Sequence, residues 1–372
     1  MKYRQLGKTD LKVSELSIGC SGFWGNRSFP EKKATSIIFE AFERGVNLFD
    51  TGHNYSNFNA EPRLGRIVKE ILSSNDRSRL IISTKAGSII GSSPILPIRK
   101  VNPKDFSPDY IENSCMKSIS NLKCDYLDIF QLHGINTLQV TEPLVERLLT
   151  MKEIGMFRYL GVNTHNESVM NFISERPKIF DMVLLDYNVL QLDREPIINR
   201  LHKSGIGVVA GTVLAQGHLV KSKIRHIKTT ADIWYLTRAL LSSTGRILSR
   251  NSTEMRETLS MLDEMTRAQV AFAYVLENLQ VASCVFGTTN LSNLHENIDS
   301  SDKVLLESSK LSIRESFNAL RERSGGCYGD YVRNNPDLLA AYNASGGGRT
   351  IEAWGKSHYD AYGKAEGRIL PC

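Results

Sequence analysis

The chain has 372 residues, of which 41% are hydrophobic and 23% charged, and its formal net charge is +6. This composition is that of a globular protein with a sizeable core, and no apolar run approaches the roughly 18 residues that span a membrane. The N-terminal segment MKYRQLGKTDLKV has no apolar stretch typical of a secretion signal, so we expect a cytoplasmic protein. The length allows one large α/β barrel with additions or two ordinary domains.

Short apolar runs that suit buried strands alternate with segments of helical spacing along the first 300 residues. The predicted strands are 15–19, 46–50, 79–84, 126–132, 159–162, 181–187, 206–210 and 281–286. The predicted helices are 31–44, 61–73, 108–122, 142–155, 167–174, 193–204, 266–279 and 291–298. Alternation repeated about eight times predicts a parallel sheet closed into an (α/β)8 TIM barrel over residues 1–300.

A basic segment, residues 218–250, lies in the long interval between the seventh and eighth predicted strands. It contains seven Lys and Arg residues against Asp232, so its net charge of +6 equals that of the whole chain. A nucleic-acid site normally has a larger basic surface interleaved with aromatics, so no nucleic acid is expected as a partner. Because no apolar run is long enough to span a membrane, no membrane is expected as a partner either. The segment suits the phosphate of a small molecule, because the loops after strands 7 and 8 of a barrel often bind phosphate, or it is a solvated basic loop.

Residues 301–372 form a predicted C-terminal extension, with a helix at 303–323 followed by a Gly- and aromatic-rich tail after 325. The tail has too many aromatic residues for plain disorder. Either Trp354 or Tyr359 closes over the substrate mouth of the barrel, or the tail packs on a second subunit and forms a homo-oligomer. The six cysteines are scattered, with no CxxC pair, so neither a metal site nor a disulfide framework is expected.

Polar residues follow three consecutive predicted strands at the point where each strand ends. Asp50 ends the run VNLFD, Lys85 follows LIIST, and His133 follows YLDIFQL, while Tyr55 comes five residues after Asp50. Because neighbouring parallel strands end at the same mouth of a barrel, these four side chains should converge there. Four ionisable groups at one mouth favour a catalytic site over separate structural roles.

The four side chains suit proton transfer to a carbonyl oxygen. A free tyrosine has a pKa of about 10, and a neighbouring ammonium stabilises its phenolate, so Lys85 would make Tyr55 a better acid or base. Asp50 would keep Lys85 charged, and His133 would orient a substrate oxygen or relay a proton. No side chain can deliver hydride to the carbonyl carbon, which implies a nicotinamide cofactor.

Long motifs over about residues 1–300 resemble the aldo-keto reductase family. They include VNLFDTGHNYSNFNAEPRLGR, LIISTKAG, RYLGVN, GIGVVAGTVLAQG and VFGTTNLSNLHEN. The resemblance implies reversible carbonyl reduction with NAD(P)H, Tyr55 as the acid/base supported by Asp50, Lys85 and His133, and Trp24 with His133 at the substrate. It places the cofactor against Asn163, Thr164, Tyr187, Gly211, Leu214, Gln216, Gly287, Thr288, Thr289, Asn290, Glu296 and Asn297.

The cofactor positions depart from the family pattern. Asn163 and Thr164 replace the Ser-Asn that holds the nicotinamide amide, Leu184 replaces a Gln, and Gly211 replaces the aromatic residue that stacks on the ring. Thr289 stands where an arginine often binds the 2′-phosphate of NADP. Because the basic segment could compensate for that arginine, NADP(H) is favoured over NAD(H).

Three functions are compatible with these residues. The first is an NAD(P)H-dependent reductase or dehydrogenase acting on a small aldehyde or ketone. In the second, Lys85 forms a Schiff base as in barrel aldolases, or permanently bound NAD(P)H serves an isomerisation or epimerisation. The third is a non-catalytic, cofactor-binding partner subunit, for which the intact acid/base residues would have no purpose.

Overall fold

The computed structural model describes residues 1–89, 103–220, 233, 243–262, 265–324, 326–346 and 348–370, without the side chains of 243–251, 323 and 324. The charged side chains of the basic segment therefore lie outside the described residues, and its predicted phosphate site stays a prediction.

Eight parallel strands close into a barrel in the order β10-β3-β4-β5-β6-β7-β8-β9, preceded by an antiparallel hairpin, β1–β2. The strands are β1 (Tyr3–Gln5), β2 (Lys12–Ser14), β3 (Leu16–Gly19), β4 (Leu48–Asp50), β5 (Ile81–Ala86), β6 (Leu127–His133), β7 (Phe157–Asn163), β8 (Met182–Asp186), β9 (Gly207–Gly211) and β10 (Val281–Phe286). The predicted (α/β)8 barrel is confirmed. The hairpin was not predicted.

Helices surround the barrel because their apolar stripes face the outer side of the sheet. In the first, Ala34, Ile37, Ile38 and Phe42 are buried, and each large apolar side chain contributes about 1.5–3 kcal/mol. The described helices are α1 (Glu31–Glu43), α2 (Ala60–Leu72), α3 (Pro108–Leu122), α4 (Glu142–Glu153), α5 (Glu167–Ser174), α6 (Glu195–Lys203), α7 (Ser243–Met261), α8 (Arg267–Glu277), α9 (Leu291–Ile298), α10 (Glu307–Ser324), α11 (Cys327–Arg333), α12 (Pro336–Ala344) and α13 (Ile351–His358).

Strand side chains alternate between the barrel interior and the helices. The lower interior is apolar and includes Leu48, Ile81 and Ile129, and hairpin residues Leu6 and Val13 pack beneath them. Because successive inward side chains are two residues apart, the next ones up each strand approach the carboxyl-end mouth. Asp50, Ser83 and Gln131, each two residues after one of these apolar strand residues, are buried in that upper part of the interior.

Most described cysteines are free thiols, and Cys20, Cys115 and Cys284 are buried as small core residues. Cys327, in α11, is disulfide-bonded, which the sequence analysis did not anticipate. Within the described ranges, no helix is both long enough and apolar enough to cross a bilayer.

Candidate active site

The predicted catalytic residues converge at the carboxyl-end mouth of the barrel. Asp50 is the last residue of β4, Lys85 is near the end of β5, and His133 is the last residue of β6. β4 pairs with β5 and β5 with β6, so their ends are adjacent. The parallel direction of the strands therefore brings together residues that are far apart in the sequence.

A buried ion pair lies at the base of the site. The Lys85 ammonium contacts the Asp50 carboxylate and donates a hydrogen bond to the Thr51 carbonyl at 2.8 Å. Ser83 and Gln131 each donate to Asp50 Oδ1 at 2.9 Å. The carboxylate is therefore held by one cation and two neutral donors, which compensates for its removal from water.

The Tyr55 ring lies between Lys85 and His133. Lys85 Nζ is 5.2 Å from the Tyr55 ring centroid, and the rings of Tyr55 and His133 meet edge to face with centroids 5.6 Å apart. Burial acts to lower the pKa of Lys85, but the charge of Asp50 and the Tyr55 hydroxyl outweigh it, so the pKa is raised. This direction favours the ammonium form of Lys85 beside the phenol.

The loop that carries Tyr55 has an unusual backbone. Ser56, Asn57 and Phe58 have φ values of 53°, 54° and 62°, in the left-handed region that costs non-glycine residues about 1–2 kcal/mol each. Ser56 Oγ donates to the Gly22 carbonyl at 3.0 Å, tying this turn to the loop after β3. At Gly52, a Cβ would lie 3.0 Å from Tyr55 Cζ, so glycine leaves room for the ring. These three strained residues directly follow Tyr55, and backbone strain of this kind is typical of functional sites.

His133 is held in its neutral form. Burial lowers its pKa well below the usual value, and the positive charges of Lys104, Lys85 and His165 act in the same direction. A neutral imidazole at the mouth can donate one hydrogen bond to a substrate oxygen without carrying a charge.

A second pair of ionisable side chains lies beside Asn163 and Thr164, which are predicted to hold the nicotinamide amide and are called the predicted amide clamp. His165 Nδ1 is 2.7 Å from Asp186 Oδ2. The hydrogen bond with Asp186 raises the pKa of His165. Burial acts to raise the pKa of Asp186, but the hydrogen bond and charge of His165 outweigh it, so that pKa is lowered. The pair therefore tends to be charged.

Tyr187 was placed at the cofactor by the resemblance, and the structure puts it elsewhere. Its ring is 1% exposed and its hydroxyl donates to Glu195 of α6 at 3.1 Å, so it faces the helices. Asp186, one residue earlier, faces the mouth instead, because neighbouring residues of a strand point to opposite faces. The predicted cofactor contact of Tyr187 is therefore not supported.

The two residues of the predicted amide clamp, Asn163 and Thr164, lie at the carboxyl end of β7. Asn163 is the last residue of β7 and lies opposite His133 in the β6–β7 ladder. Its side chain donates to the Leu184 carbonyl at 3.2 Å, and Thr164 follows it, with 2% of its surface exposed. An amide and a hydroxyl at this place suit a carboxamide ligand. At Gly211, a Cβ would lie 3.0 Å from Leu184 Cδ2, so Leu184 crowds the place of the missing aromatic residue.

The remaining predicted cofactor residues follow β9 and β10, on the loops after these strands and in helix α9. Leu214 and Gln216 belong to the turn after β9, where Gln216 is exposed with φ 56°. Gly287, Thr288 and Thr289 lead from β10 to Asn290, which accepts a hydrogen bond from Ser292 N and begins α9, whereas Glu296 and Asn297 lie within that helix. The loop residues of this set therefore follow two strands, β9 and β10, that are neighbours in the barrel.

Trp24 was predicted as a wall of the substrate pocket. Only 2% of its surface is exposed, and its indole donates to the Ala34 carbonyl of α1 at 3.2 Å. The Arg63 guanidinium lies 5.8 Å from its ring centroid. Trp24 therefore packs in the core and presents almost no surface to a substrate.

The tail helices α11–α13 form a small core of their own and dock on α5. Tyr331, Tyr342 and Ile351 are buried in this core. Trp354 stacks on His358, and Tyr359 packs against Tyr331. Because both predicted lid residues are used in packing the tail itself, the structure does not support a lid formed by these two rings.

The tail contacts the barrel directly after the predicted amide clamp. Tyr342 donates to Asn166 Oδ1 at 3.1 Å, and Asn166 donates to the Arg349 carbonyl at 3.0 Å. Arg333 Nη2 is 2.8 Å from Oε2 of Glu167, which is the first residue of α5. The tail therefore holds the segment that follows Asn163 and Thr164.

We expect Arg333→Met to weaken docking of the tail by about 3–5 kcal/mol, because it leaves the Glu167 carboxylate buried without its cation. The two side chains are only 17% and 10% exposed. Hydrogen exchange would measure the result as faster exchange across α11–α13.

The matched control is Arg314→Met, since Arg314 pairs with Glu195 with 52% of its side chain exposed and should contribute at most about 1 kcal/mol. Equal exchange in both variants would contradict a special role for Arg333.

Sequence reasoning missed several polar residues of the mouth, among them Ser83, Gln131, His165 and Asp186. A signal existed for two of them. Ser83 precedes Lys85 by two residues, and Gln131 precedes His133 by two, so each shares the inward face of its strand with a predicted catalytic residue.

Comparisons with known proteins agree with the observed fold. The model of the aldo/keto reductase family matches residues 15–319. A probable aldo-keto reductase from Glycine max is 26% identical, with 87% of this chain and 91% of that protein covered. An L-glyceraldehyde 3-phosphate reductase from Escherichia coli is 25% identical, covering 84% and 90%. The holo form of an aldo-keto reductase from Bacillus halodurans has the same fold, with a TM-score of 0.66, 24% identity, and coverage of 85% and 96%.

Proposed function

The chain belongs to the aldo/keto reductase family, and on this premise we propose that it reduces an aldehyde or ketone to an alcohol with NAD(P)H, or catalyses the reverse, using Tyr55 as general acid/base. The observation that carries the proposal is the contact of Tyr55 with both a buried ammonium and a neutral imidazole. A protein that only binds a cofactor has no need of such a phenol.

Each side chain of the site has a separate role in carbonyl reduction. His133 donates a hydrogen bond to the carbonyl oxygen and orients it. Tyr55 gives its phenolic proton to the same oxygen as negative charge develops there, and Lys85 stabilises the phenolate that remains. Asp50, with Ser83 and Gln131, holds the ammonium in place. A bound reduced nicotinamide supplies the hydride.

The residues of the mouth fit a nicotinamide cofactor in part. Asn163 and Thr164 can hold the carboxamide of the cofactor, and the loop from Gly287 to Asn290 can receive its adenosine end. Gly211 and Leu184 provide an aliphatic surface in place of a stacked aromatic ring. The family uses nicotinamide cofactors, and the basic segment supports NADP(H) over NAD(H).

We expect saturable binding of NADPH to the purified protein, tighter than that of NADH, when each is titrated with tryptophan quenching or calorimetry as the readout. Tighter NADH binding would overturn the preference for NADP(H). Absence of binding to either, in protein that carries no cofactor from purification, would overturn the proposed reaction.

A variant at position 289 tests whether this position affects binding of the 2′-phosphate. Thr289→Arg places an arginine where many family members have one, so it should tighten NADPH while leaving NADH nearly unchanged, because only NADPH carries the 2′-phosphate.

The geometry disfavours Schiff-base chemistry at Lys85. A nucleophilic lysine needs a lowered pKa, whereas the pKa of Lys85 is raised. The side chain is 2% exposed, and Nζ contacts Asp50 and the Thr51 carbonyl. A carbonyl substrate would have to break the ion pair before it could react there.

A further inference from the structure

We infer that Ser88 and Lys104 are positioning residues that hold His133 as the tautomer with its proton on Nε2. Ser88 Oγ lies 3.3 Å from His133 Nδ1, and Lys104 Nζ lies 2.5 Å from Ser88 Oγ. The three side chains form a continuous chain of contacts at the substrate mouth. The inference rests on the proposed function only for the role of His133 in turnover.

The direction of the hydrogen bonds follows from the donor inventory. An ammonium can only donate, so Ser88 Oγ accepts from Lys104. Polarised by that cation, the Ser88 hydroxyl becomes a stronger donor and its hydrogen points to His133 Nδ1. Nδ1 then carries no proton, and the single proton of the neutral ring is on Nε2.

The backbone holds Lys104 beside Ser88. The two residues form an antiparallel bridge. Ile89 N donates to the Pro103 carbonyl at 2.8 Å, and Asp105 N donates to the Gly87 carbonyl at 3.1 Å. These hydrogen bonds pair residues 87–89 with residues 103–105. The paired backbone therefore places the Lys104 ammonium at the mouth.

A glycine makes room for the lysine. Lys104 Nζ also donates to the His133 carbonyl at 2.6 Å. At Gly134, with φ 66°, a Cβ would lie 3.1 Å from Lys104 Nζ. Lys104 therefore contacts the backbone carbonyl of His133 directly, and Ser88 links it to the His133 ring.

The charges around His133 favour its neutral form. Lys85 lies on β5, Lys104 in the backbone bridge with Ser88, and His165 on the loop after β7, paired with Asp186. Burial has the largest effect in lowering the pKa of His133, and the positive charges of Lys104, Lys85 and protonated His165 act in the same direction. Tyr55 faces the ring from the loop after β4, and Asn163 lies opposite it in the ladder. Removing the Lys104 charge should therefore raise the pKa of His133.

The test is nitrogen NMR of the free protein with 15N-labelled histidine, in which His133→Gln identifies the His133 signals. In the natural chain, we expect Nδ1 to be the unprotonated nitrogen at neutral pH. Ser88→Ala should remove that preference. Lys104→Met should move protonation of His133 to higher pH, Lys104→Arg should restore the original titration, and Lys117→Met, an exposed lysine of α3, should leave it unchanged.

A proton on Nδ1 in the natural chain would overturn the inference, and so would a Lys104→Met titration identical to that of Lys117→Met. Because the measurement needs neither substrate nor cofactor, the two proposals fail separately. The expected tautomer in a protein without turnover would contradict the proposed function alone, whereas the other tautomer in an active enzyme would contradict this inference alone.

Discussion

Replacing Tyr55 with Phe is expected to lower turnover by a factor of about 10²–10⁴, which is the usual contribution of a positioned acid or base. The variant removes one hydroxyl group and keeps the ring. The packing of that ring on His133 and Lys85 should therefore survive, and cofactor affinity should remain nearly unchanged. Steady-state kinetics and a cofactor titration would measure the two effects separately.

The matched control is Tyr159→Phe. Tyr159 lies on β7 towards the opposite end of the barrel, where its hydroxyl donates to Asp10 at 2.9 Å. Removing that hydroxyl should leave turnover unchanged. Normal turnover in Tyr55→Phe would exclude the proposed acid/base mechanism.

Replacing Lys85 with Met is expected to destabilise the protein by about 3–5 kcal/mol as well as to remove activity, because it leaves a buried carboxylate without its cation. The side chains of Lys85 and Asp50 are only 2% and 8% exposed, so water cannot replace the lost partner. Urea unfolding with and without the substitution would measure the loss.

The double variant Lys85→Met with Asp50→Asn separates the two effects. A neutral amide at position 50 can still accept hydrogen bonds from Ser83 and Gln131, so part of the lost stability should return. Activity should not return, because the ammonium beside Tyr55 is still missing. No recovery of stability would mean that the single variant is destabilised by something other than the unpaired charge.

The sequence was sufficient for the barrel and for its reactive end. Apolar runs that each end in an ionisable residue identified Asp50, Lys85 and His133, and parallel strands end together, so their convergence followed without coordinates. Helix α3 began and ended where the apolar spacing predicted. These features depend on local periodicity and on a single rule of sheet geometry.

The sequence by itself determined the fold, the phenol of Tyr55 and the three residues gathered with it, Asp50, Lys85 and His133. Which other side chains meet these four was decided by the tertiary structure. The run DMVLLDY is apolar on both faces of its strand, so it carries no alternation to show that Asp186 rather than Tyr187 faces the mouth. Ser88 and Lys104 are sixteen residues apart and meet through paired backbone. The tail docks on α5 through Arg333 and Glu167. Such contacts join distant parts of the chain, and periodicity along a sequence contains no information about them.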